Sequence, residues 1–225
     1  MKVDFHIHTK YSYDSLMEPD KIIRNAVKKG LDGIVICDHN TIRGGVEVDR
    51  HNTNLGLKII VGAEIYTSVG DITGIFLHKE IVSRDFNDVI DEIRAQGGKV
   101  ILNHPFKQHD LSKIDFSKID YIEGYNGRLS IEYNQKAIEL ANQYKIPIIS
   151  GSDAHLYNEI GNCFTLVNDL TSLIPIHQNY KQTKFLNITL SQYIKAYKRR
   201  DIKIFISAPL FSKSSRLLKS KVSIS

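Results

Sequence analysis

The sequence predicts an α/β protein, a parallel sheet with helices packed outside it, either open or closed into a barrel. Two observations carry this expectation. Along most of the chain, short apolar segments with a period of two alternate with segments whose apolar residues recur at helical spacing. The histidines and acids gather at the C-terminal ends of the apolar segments, the rim where parallel α/β folds assemble their sites. Composition agrees: the 225 residues are 42% hydrophobic and 24% charged, which excludes a disordered, collagen-like or low-complexity protein. At this length one domain buries roughly 70% of its unfolded surface, so one core with at most an appendage is expected.

The elements follow in order. Residues 3–7 form a strand in which Asp4 and His6 alternate with Val3, Phe5 and Ile7. His6 and His8 should therefore share one face while Phe5 and Ile7 pack on the other. A helix follows over 18–29, with Ile22, Ile23, Ala26 and Val27 on one side and Gly30 ending it. Strand 31–37, helix 45–54 and strand 57–65 come next, then strand 72–77, set off by Gly70 and Asp71. Helix 86–96 stops at Gly97-Gly98, and strand 99–103 follows. Strand 121–124, helix 131–144 and strand 147–150 complete the alternation. Beyond about Asp169 the pattern is less regular, with one helix expected near 190–199. The domain expected is 1–197, followed by a basic segment, 198–225, whose apolar first part packs on the barrel.

The net charge of +5 resides in that segment, where eight Lys/Arg face Asp201 alone. The preceding residues carry 22 basic and 24 acidic groups, a net of −2. A nucleic-acid partner reached through the basic end is therefore an alternative and not the favoured reading. No apolar run approaches the ~18 residues of a membrane span, and no signal-peptide core is present. A cytoplasmic protein with no membrane partner is expected. Cys37 and Cys163 are too few and too distant for a disulfide framework, and Cys37 is expected in the core.

Five of the nine histidines, His6, His8, His39, His104 and His155, fall at or just past a strand end. They sit in His6-Ile7-His8, Cys37-Asp38-His39-Asn40, Asn103-His104-Pro105 and Ser152-Asp153-Ala154-His155, while Gly62-Ala63-Glu64 ends the third strand. Any one of these is more often a cap or a satisfied polar residue. Five strand ends with His, Asp or Glu, two of them alternating pairs, point to divalent metal bound by imidazole and carboxylate. His51, His109 and His177 lie off the strand ends and are expected at the surface.

This set of motifs, from Met1 to about Asn168, resembles the polymerase-and-histidinol-phosphatase (PHP) family. Further echoes are Tyr11-Ser12-Tyr13-Asp14-Ser15, Thr41-Ile42-Arg43-Gly44-Gly45 and Tyr125-Asn126-Gly127-Arg128. The resemblance is to the small stand-alone phosphoesterases of that family and implies a distorted (β/α)7 barrel whose rim holds two or three divalent ions, Zn, Mn or Fe. It implies His6, His8, Glu64 and Asp153 for a first metal, Glu64 and His104 for a second, and Asp14, His39 and His155 for a third. The family often has a further His after the bridging Glu; here Asp71 takes that place, with His78 as the other candidate.

The function expected is hydrolysis of a small phosphorylated substrate by metal-activated hydroxide, with Arg128 gripping a phosphoryl oxygen and Arg43 a weaker second contact. The alternatives are a nuclease of the same fold that trims nucleic-acid ends, a metal hydrolase of C–N or C–O bonds, and a non-catalytic binding or regulatory module.

Overall fold

The structure, a computed structural model, describes residues 1–208. Residues 209–225, with Lys213, Arg216, Lys219 and Lys221 and the expected free end of the basic segment, lie outside the described residues. In chain order the elements are β1 (Lys2–Ile7), α1 (Pro19–Lys28), β2 (Gly33–His39), α2 (Arg43–His51), β3 (Lys58–Tyr66), β4 (Asp71–Ile75), α3 (Phe86–Arg94) and β5 (Lys99–Leu102). They continue with β6 (Tyr121–Asn126), α4 (Ile131–Tyr144), β7 (Ile148–Gly151), β8 (Phe164–Val167), β9 (Pro175–Asn179) and α5 (Phe185–Arg199).

One sheet holds the strands in the order β7-β6-β5-β4-β3-β2-β1-β8-β9. β1, β2 and β3 run parallel, as do β5, β6 and β7. The sheet is nearly closed. The outer half of β1 reaches the segment after β7: Ile7 bridges Ala154, His8 N–H donates to the Ala154 carbonyl at 2.9 Å, and Ala154 N–H donates to that of His6 at 3.1 Å. The inner half of β1 pairs instead with β8 at Lys2 and Val3. β1 thus divides its edge between two partners, and a barrel forms.

The expectation of a wholly parallel sheet is corrected at β4, which is antiparallel to both neighbours. Only Thr67, Ser68, Val69 and Gly70 separate β3 from β4, too few for the crossover that a parallel pair needs. The reversal places Asp71 opposite Tyr66, beside the rim end of β3. β8 and β9 were not legible in the sequence; β9 is an edge strand that opens on Pro175 and is mostly exposed, so it lacks a buried alternating face. α5 starts at Phe185, ahead of the expected 190, and 202–208 forms a further helical turn whose first N–H groups Asp201 caps.

Every strand from β1 to β8 contributes to the cluster that fills the barrel, including Val3, Phe5, Val35, Cys37, Ile60, Ile75, Ile101, Tyr121, Ile149 and Val167. Two further clusters seat α1 and α2, and α3 and α4, against the sheet. Phe5 and Ile7 do not share a face as expected: Phe5 lies in the barrel cluster and Ile7 under α1. A register shift between Asp4 and Ile7 causes this, since an inserted residue re-aims the strand beyond it. His6 and His8 follow that bulge and reach the mouth of the barrel, above its apolar filling.

Candidate metal centre

Each strand end brings one or two polar side chains to the same small volume. The imidazoles of His6 and His8 face each other, Nε2 to Nε2, at 3.0 Å. Glu64 Oε2, from β3, lies 3.6 Å from His6 Nε2 and 3.5 Å from His8 Nε2. Asp153 Oδ1 lies 3.6 and 3.3 Å from the same two nitrogens. His104 Nε2 meets the other Glu64 oxygen at 3.0 Å, and His39 Nδ1 meets Oε2 at 3.0 Å. Asp14 stands between His155 Nε2, at 3.2 Å, and His39 Nε2, at 3.3 Å. All of these groups are buried except His39, whose side chain is 16% exposed.

Three overlapping groups could each hold an ion, with ligand atoms within 4.8 Å of one another: His6, His8 and Glu64; Glu64, Asp71 and His104; and His8, Asp14, His39 and His155. The eight expected ligands therefore converge, Asp153 beside the first group, and Asp71 joins the second. His78 does not. It is exposed beyond the other end of β4, near Arg43 and Glu80.

The donor set fits divalent cations. Burial would raise the carboxyls of Asp14, Glu64 and Asp153, yet the imidazoles around each override it and hold all three well below the usual range. For Asp14 the override comes from His155 and His39, for Glu64 from His6 and His39, and for Asp153 from His6 and His8. Asp71 is raised, by burial and then by the Glu64 carboxylate beside it. Burial also opposes the charge on His39, but Asp14 and Glu64 push it up to about 10. His8 is pushed down to about 3 by burial and by His155. Asp14 Oδ1 is buried with no hydrogen-bond partner. Buried acids that repel one another and imidazoles that face nitrogen to nitrogen are relieved by cations between them.

An outer layer, missed in the sequence, orients the candidate ligands. Glu123 Oε1 accepts from His6 Nδ1 at 2.9 Å, while Oε2 accepts from the His104 N–H and from Asn126. His8 Nδ1 lies 3.0 Å from Ser12 Oγ, whose hydroxyl donates to Asp38. Glu159 accepts the N–H groups of His155 and Leu156. On the rings of His6 and His8 such partners fix the tautomer and raise ligand basicity, while Glu159 fixes the backbone that carries His155. His104 and Asp153 hold left-handed backbone, φ +28° and +52°, strain of a kind that concentrates at functional sites.

Three expectations change. Arg128 does not lean freely over the rim: its side chain is half-buried, and its guanidinium donates to Ser191 Oγ at 2.8 Å and faces Glu159 Oε1 at 3.5 Å. Arg43 stacks over the Tyr11 ring, 4.8 Å from its centroid, and serves the surface. His109, expected at the surface, packs edge-on to His104 and donates to the Asp71 carbonyl at 2.8 Å. Gly70 makes room for it, since a Cβ there would lie 2.2 Å from the ring. His51 and His177 are exposed and Cys37 is buried.

A nearly closed α/β barrel with a His/Asp/Glu rim defines a class of metal-site barrels, and within it this chain belongs to the PHP domain family, whose model matches residues 4–210. It is 34% identical over 200 residues to an uncharacterized protein of Methanocaldococcus jannaschii, covering 84% of this chain and 78% of the relative. A second uncharacterized protein of that organism is 42% identical over 117 residues, 47% of this chain and 68% of the relative. Among solved structures, a two-domain protein from Bacteroides vulgatus, described as containing a predicted PHP-like metal-dependent phosphoesterase, superposes with a TM-score of 0.65 at 24% identity. The match covers 77% of this chain and spans 61% of that protein's length. No helix among the described residues is long and apolar enough to cross a membrane.

Proposed function

We propose that the protein is a metal-dependent phosphoesterase acting on a small phosphorylated substrate. The observation that supports this best is the sharing of Glu64 between two ligand groups, with His39 of the third group on its Oε2, so that neighbouring ions would flank one carboxylate. Divalent ions so placed supply Lewis acidity toward phosphoryl oxygens and acidify water for in-line attack. The residues named above would hold them: His6, His8, Glu64 and Asp153; Glu64, Asp71 and His104; His8, Asp14, His39 and His155.

The chain's own part is to position and to neutralise. Glu123, Ser12 with Asp38, and Glu159 fix three histidines in place, so little reorganisation accompanies binding. The site meets solvent on the His39 side, where Tyr13 stacks on His39 at 4.3 Å. The ammonium of Lys195 sits 4.9 Å and the guanidinium of Arg199 4.0 Å from the Tyr13 ring centroid. These cations border the entrance and suit an anionic substrate. Arg128 is assigned to support Glu159, and so His155.

The test is a panel of phosphomonoesters, phosphodiesters, short oligonucleotides and amides on protein loaded with Mn, Zn or Fe. Phosphoester hydrolysis that is lost with metal in His104→Ala is the expected result. Activity confined to oligonucleotides would favour a nuclease, activity on amides a C–N hydrolase. A metal-loaded protein inert on all of them overturns the proposal.

A further inference from the structure

The last turn of α5 reaches the loop between β1 and α1. An ammonium has three donors and no acceptor. On Lys198 all three are taken by carbonyls of that loop: Lys10 at 2.6 Å, Ser15 at 3.1 Å, and Ser12. These carbonyls bracket Asp14 on both sides. Lys195 and Arg199, at i−3 and i+1, hold the Tyr13 ring that stacks on His39. α5 fully buries only Ser191 and Ala196, and besides its ties to this loop it is held by Arg128, at Asn187 and Ser191, and by Asn158, at Asn187.

We propose that Lys198 is a positioning residue that holds the loop in the form which sets Asp14 beside His39 and His155. The group His8, Asp14, His39 and His155 is then complete only while α5 is docked. The group built on Glu64, Asp71 and His104 takes neither a ligand nor an orienting contact from this loop, while the group built on His6, His8 and Glu64 takes no ligand from it but has His8 oriented by Ser12. The proposal rests on the metal-centre reading and not on the phosphoesterase reading. A protein that binds its metals yet hydrolyses no phosphoester would overturn the latter and leave this one standing.

The experiment titrates Mn²⁺ into the metal-free full chain and counts equivalents bound for wild type, K198M, D14N and the double variant. In K198M one class of site should weaken by roughly tenfold or more, the range for partners that orient ligands. The site built on Glu64, Asp71 and His104 should keep its affinity, amides 11–16 should exchange faster, and K198M with D14N should lose no more than D14N alone. Unchanged affinities in K198M overturn the proposal. If K198M does not fold, K198Q, which keeps a single donor group, is read in the same way. Uniform loss of every metal and of the fold in both variants would show a structural prop and also overturn it.

Discussion

At the scale of single residues, most of the candidate ligands were legible because chemistry and position coincide: of the eight expected, all but Asp14, which lies in the loop between β1 and α1, fall at or just past a strand end. The residues that aim them were not. Glu123 sits inside an apolar strand and is identified only by the three groups it receives, from His6, His104 and Asn126. Replacing it with Gln keeps the shape but puts an amide nitrogen where an acceptor is needed. Glu123→Gln should lower metal affinity about 10- to 100-fold, measured by competition with a chromogenic chelator, with the fold intact. Arg128 makes a sharper case. A residue that merely gripped substrate would leave metal content alone when removed. Packed against Glu159, it instead leaves an uncompensated carboxylate, and breaking such a pair costs about 3–5 kcal/mol. Arg128→Ala should therefore lower the denaturant midpoint and loosen metal together, whereas full stability with reduced kcat/KM would restore the phosphate-gripping role.

At the scale of elements, α4 is observed over the span its periodicity predicts, and the other expected helices fall within a few residues of theirs. The direction of β4 was hidden because alternation marks a strand without marking its sense. The four-residue link after Tyr66 was the available clue, and Gly70, at φ +139°, is its turning point. That reversal decides the second ligand group, since it delivers Asp71 and not His78 to the rim. α3 offers a control remote from the rim: Asp85 caps it by accepting from the N–H groups of Asn87 and Asp88. Asp85→Ala should cost about 1 kcal/mol in urea unfolding and leave the metal count unchanged. A coupled loss of metal would mean that the barrel wall and its rim are less separable than the packing shows.

At the scale of the whole molecule, ions bound at the rim would link its assembly to stability. A ligand that binds only the folded chain adds about 2.7 kcal/mol at a hundred times its Kd, so chelation should lower Tm by several degrees, reversed by Mn²⁺ or Zn²⁺. Protons compete for the same atoms. With His39 held up at about 10, the metal-free protein keeps that proton at neutral pH, and a cation must displace it. Metal loading should release protons, and affinity should rise between about pH 7 and about pH 9; titration in two buffers of different ionisation heat checks the sign. The closure of the sheet carries a last consequence. Ala154, the residue that Ile7 bridges to shut the barrel, lies between Asp153 and His155, and Ser152 N–H reaches back 148 residues to Asp4. Sealing the cylinder and completing the ligand set are one event. A ribosome-bound chain lacks the complete set until residues past 155 have emerged, whereas the group Glu64, Asp71 and His104 needs nothing beyond residue 104. Metal uptake at the groups that include Asp153 or His155 should therefore report the final, long-range step of folding.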